Sequence, residues 1–132
     1  HLAKLLIQEK PIKKIFDMIP YSTITIIGIG AVNERATLVK EGYLNPHEME
    51  IYKSLGAAGD LLSQFYDKDG HVLELPLHKQ LVSTDIQLLK SLNHVVAVAG
   101  GSEKREAIIG ALKGGYIDVL ITDETVARSL IE

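Results

Sequence analysis

The stretch VVAVAGGSEKREAI, Val95 to Ile108, decides how the chain is built. A run of small and β-branched apolar residues stops at Gly100 and Gly101, and Ser102 then opens a charged, helix-forming segment. Strand, glycine turn and helix in that order form half of a βαβ unit. The unusual feature is Lys104 and Arg105 in the first helical turn, where the backbone already presents positive charge and carboxylates are the residues that suit it. An anion from outside the chain would complete the arrangement. Free N–H groups at a helix start hold phosphate or carboxylate, and Lys104 supplies a compact positive charge. The same residues also suit a plain strand-to-helix turn, with Lys104 solvated and its misfit softened by Glu103 and Glu106.

Two further apolar runs match the first. TITIIGIG (Thr23–Gly30) and DVLITDE (Asp118–Glu124) are short, β-branched and ended by glycine or a capping residue, as buried parallel strands are. Helices are expected between them. NPHEMEIYKSLG places Asn45 at the N-cap, Pro46 at N1, Glu48 at N3 and Gly56 past the end. STDIQLLKSLN carries a similar box from Thr84 to Gln87, and the Ser102 helix stops at Gly114 and Gly115. Thr122 can cap a last helix, and LAKLLIQEKPIKKIF reads as a helix at the start. Between the first two strands, GDLLSQFYDKDGHVLEL reads as a hairpin turning at DKDG. The expected fold is one α/β domain, an open, mostly parallel sheet with helices on both faces and a hairpin insertion.

Ligands of such sheets bind outside the carboxyl ends of the strands. That rule selects Gly28 and Gly30, then the run from Gly100 through Gly101 and Ser102 to Lys104, then Thr122 to Glu124. GIGAVNERA is not a dinucleotide fingerprint, because Asn33 stands where the third glycine belongs. Arg35 in that loop can reach an anion or stay solvated. DKDG fails the calcium-loop pattern, which would need an acid at Phe65 and a glutamate at Pro76; Asp67 is then a turn residue or a ligand contact. Asp60 stands in a strand-like stretch where a carboxylate is out of place, and can hydrogen-bond sugar hydroxyls. The five histidines have no metal-ligand spacing and read as surface or loop residues. No nucleophile-and-base arrangement stands out.

Composition narrows the function further. The 132 residues carry a net charge of −3 with both signs interspersed, unlike the basic footprint of a nucleic-acid binder. Aromatic content is 5% with no tryptophan, which leaves little to stack on bases. Cysteine is absent, so disulfides and thiolate chemistry are excluded. No apolar run approaches the roughly 20 residues of a membrane span, and no signal peptide opens the chain; a cytoplasmic location is expected. The chain opens at His1 within a helical pattern and reads as part of a longer protein.

GIGAVNERATLVKEGYL, GAAGDLLSQFYDKDG and AVAGGSEKREAIIGALKGGYIDVLITDETVARSL together resemble the effector-binding domain of SorC-type, DeoR-like bacterial transcriptional regulators. The likeness runs over nearly the whole chain, and A-G-G-x-x-K-x-x-A-I followed by L-x-T-D-E carries most of its specificity. It implies a Rossmann-like fold similar to sugar-phosphate isomerases and glucosamine-phosphate deaminases, with a phosphorylated sugar as effector and no cofactor or metal. It places Lys104 on the ligand's phosphate or sugar oxygens, Asp60 against the sugar, and Gly28 and Gly30 in the lining loop, with Arg35 and Asp67 as looser carry-overs. Family members also carry a helix-turn-helix, a further strand and a Gly/Thr/Ser-rich phosphate loop, none of which is in this sequence. Residues 1–132 are therefore expected to be the C-terminal half or so of an effector domain. Operator DNA would be met only through the missing N-terminal domain, and the open sheet edge would favour homo-oligomers. The competing reading is an isomerase or deaminase using Glu34 or Asp67 for proton transfer, and a purely structural oligomerisation module comes last.

Overall fold

Six strands form, at Thr25–Gly28 (β1), Gly30–Ala31 (β2), Ala57–Leu61 (β3), Gln64–Asp67 (β4), Val95–Val98 (β5) and Val119–Ile121 (β6). They belong to a computed structural model that describes all residues from His1 to Glu132. β1, β5 and β6 make a parallel sheet in the order β1-β5-β6, with Thr25 opposite Val95 and Val98 opposite Ile121. β2, β3 and β4 make an antiparallel sheet, with Gly30 opposite Asp60 and Asp60 opposite Phe65. The single strand expected over Thr23–Gly30 is thus two strands in two sheets. The chain changes sheets across the buried Ile29, flanked by two glycines.

The helices are Leu2–Gln8 (α1), Lys10–Met18 (α2), Thr37–Lys40 (α3), Pro46–Ser54 (α4), Arg105–Lys113 (α5) and Glu124–Ile131 (α6). α4 has the expected capping box, with Asn45 and Glu48 exchanging two 2.8 Å bonds. The expected first helix is broken in two at Glu9, whose backbone is extended. Pro11 has no N–H to give the preceding turn and its ring crowds that turn's carbonyl, so the helix restarts with Pro11 in its first turn.

Two other helix starts differ from expectation for readable reasons. Over 83–93 only a 3₁₀ segment, Ile86–Ser91, forms, capped by Asp85 rather than Thr84. The buried Gln64 amide takes the local backbone groups, donating to the Thr84 carbonyl at 2.6 Å and accepting from Ile86 N–H at 3.2 Å. At α6 the cap is Asp123, whose carboxylate accepts from Val126 N–H at 2.8 Å. The Thr122 hydroxyl is buried without a partner.

The hairpin insertion is present, but its first turn lies at Leu62 and Ser63, both with positive φ. Positive φ at both central residues matches the twist of the flanking strands. DKDG is a second turn, closed by Gly70 N–H on the Asp67 carbonyl, and it returns the chain to a bridge between Tyr66 and Val72.

One core joins the two sheets through α5. Ile27, Val95 and Ala97 on the inner face of the parallel sheet share a cluster with Ala107, Ile108 and Ala111 of α5 and with Leu61 and Tyr66 of the hairpin. A Cβ on Gly59 would strike Ala107, so that glycine is what lets β3 lie against the helix. The Tyr66 hydroxyl fixes the contact by donating to the Ala107 carbonyl at 2.7 Å. A smaller cluster, Leu44, Met49, Ala57, Phe65 and Leu75, seats α4 on the far side of the hairpin. Helices cover the inner face of the parallel sheet; on its outer face Ile26 is 71% and Ile121 54% exposed.

Candidate functional site

A cleft of about 500 Å³ opens where β1 ends, β2 begins and α5 starts. Gly28, Gly30, Arg35, Asp60 and Lys104, drawn from three separate segments of sequence, all line it. Asn33, Ser63 and Glu103 line it too, and sequence reading did not single them out as ligand contacts. Ser63 could have been found only by placing the first hairpin turn correctly.

Asp60 occupies the floor. It faces Gly30 across the β2–β3 pair, and a Cβ at Gly30 would overlap its carboxylate. One carboxylate oxygen accepts from Ser63 N–H at 3.1 Å. Burial pushes the carboxyl up from 3.8 to about 6, against the opposing pull of the Ser63 N–H and of the Lys104 charge. It is a carboxylate held in poor solvation with unused acceptor capacity, which donors such as hydroxyls would relieve.

The two cations of the helix start have different fates. Arg105 is engaged, to Glu106 at 2.9 Å and to the Ser129 carbonyl of α6 at 3.2 Å. Lys104 is half-buried on the cleft wall and makes no ion pair or side-chain hydrogen bond within the chain. Arg35 is exposed at the mouth, where Asn33 fixes the loop by accepting from Arg35 N–H at 2.8 Å.

Gly100, Gly101 and Ser102 do not line the cleft; they form the turn that delivers Lys104 to it. Gly101 has φ of +101°, a conformation that favours glycine, and its N–H donates to the Asp123 carboxylate at 2.7 Å. Val126 N–H and then Gly101 N–H hold the Asp123 carboxyl below its ordinary range. The turn is therefore tied to α6. Ser102–Lys104 is a 3₁₀ turn, and α5 itself begins only at Arg105.

Asp67 lies elsewhere. Its carbonyl sits against Gly110, well along α5 from Lys104, and its carboxylate accepts from Asp69 N–H and His71 N–H at 2.9 Å each. Asp67, Asp69 and His71 bring their ligand atoms within 4.8 Å of one another. Those turn bonds and the Lys113–Asp69 contact at 3.5 Å account for the group. His78, expected at the surface, is half-buried instead, accepting from Phe65 N–H at 2.9 Å and stacking on the Phe65 ring. It helps wall a second cavity of about 330 Å³ with Gln64, whose amide is satisfied at both ends.

A free cation, a poorly solvated carboxylate and a glycine-lined floor at the carboxyl end of a parallel sheet give the cleft the chemistry to hold a small polar or anionic molecule. The whole chain, residues 1–132, matches the family model described as "Putative sugar-binding domain", and the protein belongs to that family. It is 36% identical over 133 residues to the transcriptional regulator LsrR of Enterobacter sp. (strain 638), covering 98% of this chain and 41% of the relative. It is 32% identical over 130 residues to the deoxyribonucleoside regulator of Bacillus subtilis (strain 168), with the same two shares. Among solved structures it superposes on the "Putative Sugar-Binding Domain of Transcriptional Repressor" from Vibrio fischeri with a TM-score of 0.86 and 29% identity, covering 98% of this chain and 52% of that one. The chain thus spans about two fifths of the length of the curated relatives it matches. The relatives are bacterial transcriptional regulators, and no helix here is long and apolar enough to cross a membrane.

Proposed function

We propose that this domain senses a phosphorylated sugar for a bacterial transcriptional regulator. The observation that carries the reading is the unpaired Lys104 facing the same cleft as the part-buried Asp60. Lys104 holds the phosphate, or sugar oxygens next to it, through charge-assisted bonds. Asp60 accepts from sugar hydroxyls, Gly28 and Gly30 let the ligand approach the backbone, and Arg35 adds charge at the mouth. Regulation requires that the sugar bind two states of the regulator with different affinity, and a coupling of about 1–3 kcal/mol is the usual scale. The regulator meets operator DNA through a domain outside this chain, and acts as a homo-oligomer in the cytoplasm.

The enzymatic alternative needs a general base and acid beside the sugar. Neither Glu34 nor Asp67 lines the cleft, which supports binding without turnover. The test is calorimetric titration with a panel of pentose and hexose phosphates and their unphosphorylated parents, followed by recovery of the ligand. Saturable binding of a phosphorylated member, recovered unchanged, is the expected result. Conversion to its aldose or ketose isomer would establish the enzyme instead.

A further inference from the structure

Glu103 lines the cleft beside Lys104, yet nothing in the chain engages it. It is exposed, and its carboxylate enters no side-chain hydrogen bond or ion pair. The other acids around this helix start are all occupied: Glu106 by Arg105, Asp123 by the N–H groups of Gly101 and Val126, and Glu124 by Arg128. The turn alone places Glu103. Lys104 N–H closes it on the Gly101 carbonyl at 3.0 Å. Both Glu103 carboxylate oxygens lie 2.7 Å from where a Cβ on Gly101 would stand, so the side chain folds back into the room that glycine leaves. A carboxylate suits the positive end of a helix, but Glu106 already fills that role in the first turn of α5.

The charges of the cleft give Glu103 a different use. Its charged lining is Arg35, Asp60, Glu103 and Lys104, two groups of each sign. Asp60 titrates near 6, so at pH 7.5 the lining sums to zero. A phosphate monoester carries about −1.5 to −2 at pH 7. One such group is matched by Lys104 and Arg35 together. A second finds no cation left and meets a carboxylate instead, in a cleft where like charges repel more strongly than in open water. Asp60 is part-buried on the floor and holds the Ser63 N–H, whereas Glu103 stands in solvent with its acceptors free. Resting on the sugar-phosphate reading, we propose that Glu103 sets the charge class of the ligand: it admits sugars with one phosphate and rejects bisphosphates. The hydroxyl that a monophosphate keeps in place of the second phosphate donates a proton to the free Glu103 oxygens. The same group thus accepts one ligand and repels the other, and selectivity regularly needs that repulsive element.

The test is calorimetry at pH 7.5 and low salt with three matched pairs: ribose 5-phosphate and ribose 1,5-bisphosphate, glucose 6-phosphate and glucose 1,6-bisphosphate, fructose 6-phosphate and fructose 1,6-bisphosphate. The parent is expected to bind a monophosphate about tenfold or more tighter than its bisphosphate, the scale of a close like-charge contact. Glu103→Gln keeps an acceptor oxygen and loses the charge. It should close most of the gap by tightening the bisphosphate, with the monophosphate changed by no more than about threefold, and Glu103→Lys should reverse the preference. Added salt should narrow the gap in the parent and leave Glu103→Gln unaffected. A role confined to the helix start would instead lower the urea midpoint of both variants and leave the gap as it was, which overturns the proposal. So does a parent that binds a bisphosphate as tightly as its monophosphate; the sugar-phosphate reading survives either result. Binding of no member of any pair overturns both.

Discussion

Gly30 lies directly opposite Asp60 in the β2–β3 pair, and the space a Cβ would take at Gly30 is filled by the Asp60 carboxylate. The glycine and the acid are thus one feature: the first is absent volume that the second occupies on the floor of the cleft. Gly30→Ala forces the carboxylate to move. The cost expected is about 1–3 kcal/mol, the usual range for overpacking, together with at least tenfold weaker sugar-phosphate binding. Urea denaturation and calorimetry read the two effects. A variant of unchanged affinity would mean that Asp60 can leave the floor without loss.

Asp60 also gives the domain a pH signature. Its folded carboxyl titrates near 6, above its ordinary 3.8, so between those values the folded state holds more protons than the unfolded chain. Stability attributable to this group therefore falls as pH rises through that window and is level above about 7. The scale is about 2–3 kcal/mol, at 1.36 kcal/mol per unit. Asp60→Asn should remove this slope, making the variant the more stable protein at pH 7.5 and the two nearly equal at pH 4. Urea midpoints at pH 4, 5, 6 and 7.5 for both proteins isolate the contribution as a difference. The variant should also bind the sugar more weakly, since an amide nitrogen replaces one acceptor oxygen.

Much of this was legible in the sequence because the signals are local. The Asn45–Glu48 box and Gly56 past the end fix α4, and the Gly100–Gly101 break separates β5 from the helix start. Lys104 was legible as a charge in the wrong place for a helix dipole, and Asp60 as an acid in a strand. What failed was non-local. The Gln64 amide replaces helical partners at Thr84 and Ile86 from 20 and 22 residues away. After Ile29 the chain pairs in a second sheet with Gly59 and Asp60, the latter 30 positions beyond Gly30, and no property of GIG alone announces it. The Leu62–Ser63 turn was missed because neither residue is a customary left-handed one, whereas DKDG advertises a turn openly. The bare outer face was hidden for a simpler reason: an apolar strand reads as buried on both sides whether or not its cover is present.

Tyr66 separates fold from site. Its hydroxyl donates to the Ala107 carbonyl inside the core, and it does not line the cleft. Tyr66→Phe leaves that carbonyl short of a partner, for a loss of about 1 kcal/mol. Sugar-phosphate affinity should stay within twofold of the parent. A large loss of affinity would show that the seating of β3 on α5 also governs the cleft.

Lys104 is the proposed anion-binding group, on which the sugar-phosphate reading depends. The most direct measurement is calorimetry of the sugar phosphate selected from the panel, titrated into the parent domain and into Lys104→Ala under identical low-salt conditions. Charge-assisted hydrogen bonds are worth about 1.5–3 kcal/mol, so at least tenfold weaker binding is expected in the variant, with little difference between the two for the unphosphorylated sugar. Equal affinity of parent and variant for the phosphorylated ligand would contradict it and remove Lys104 from the site.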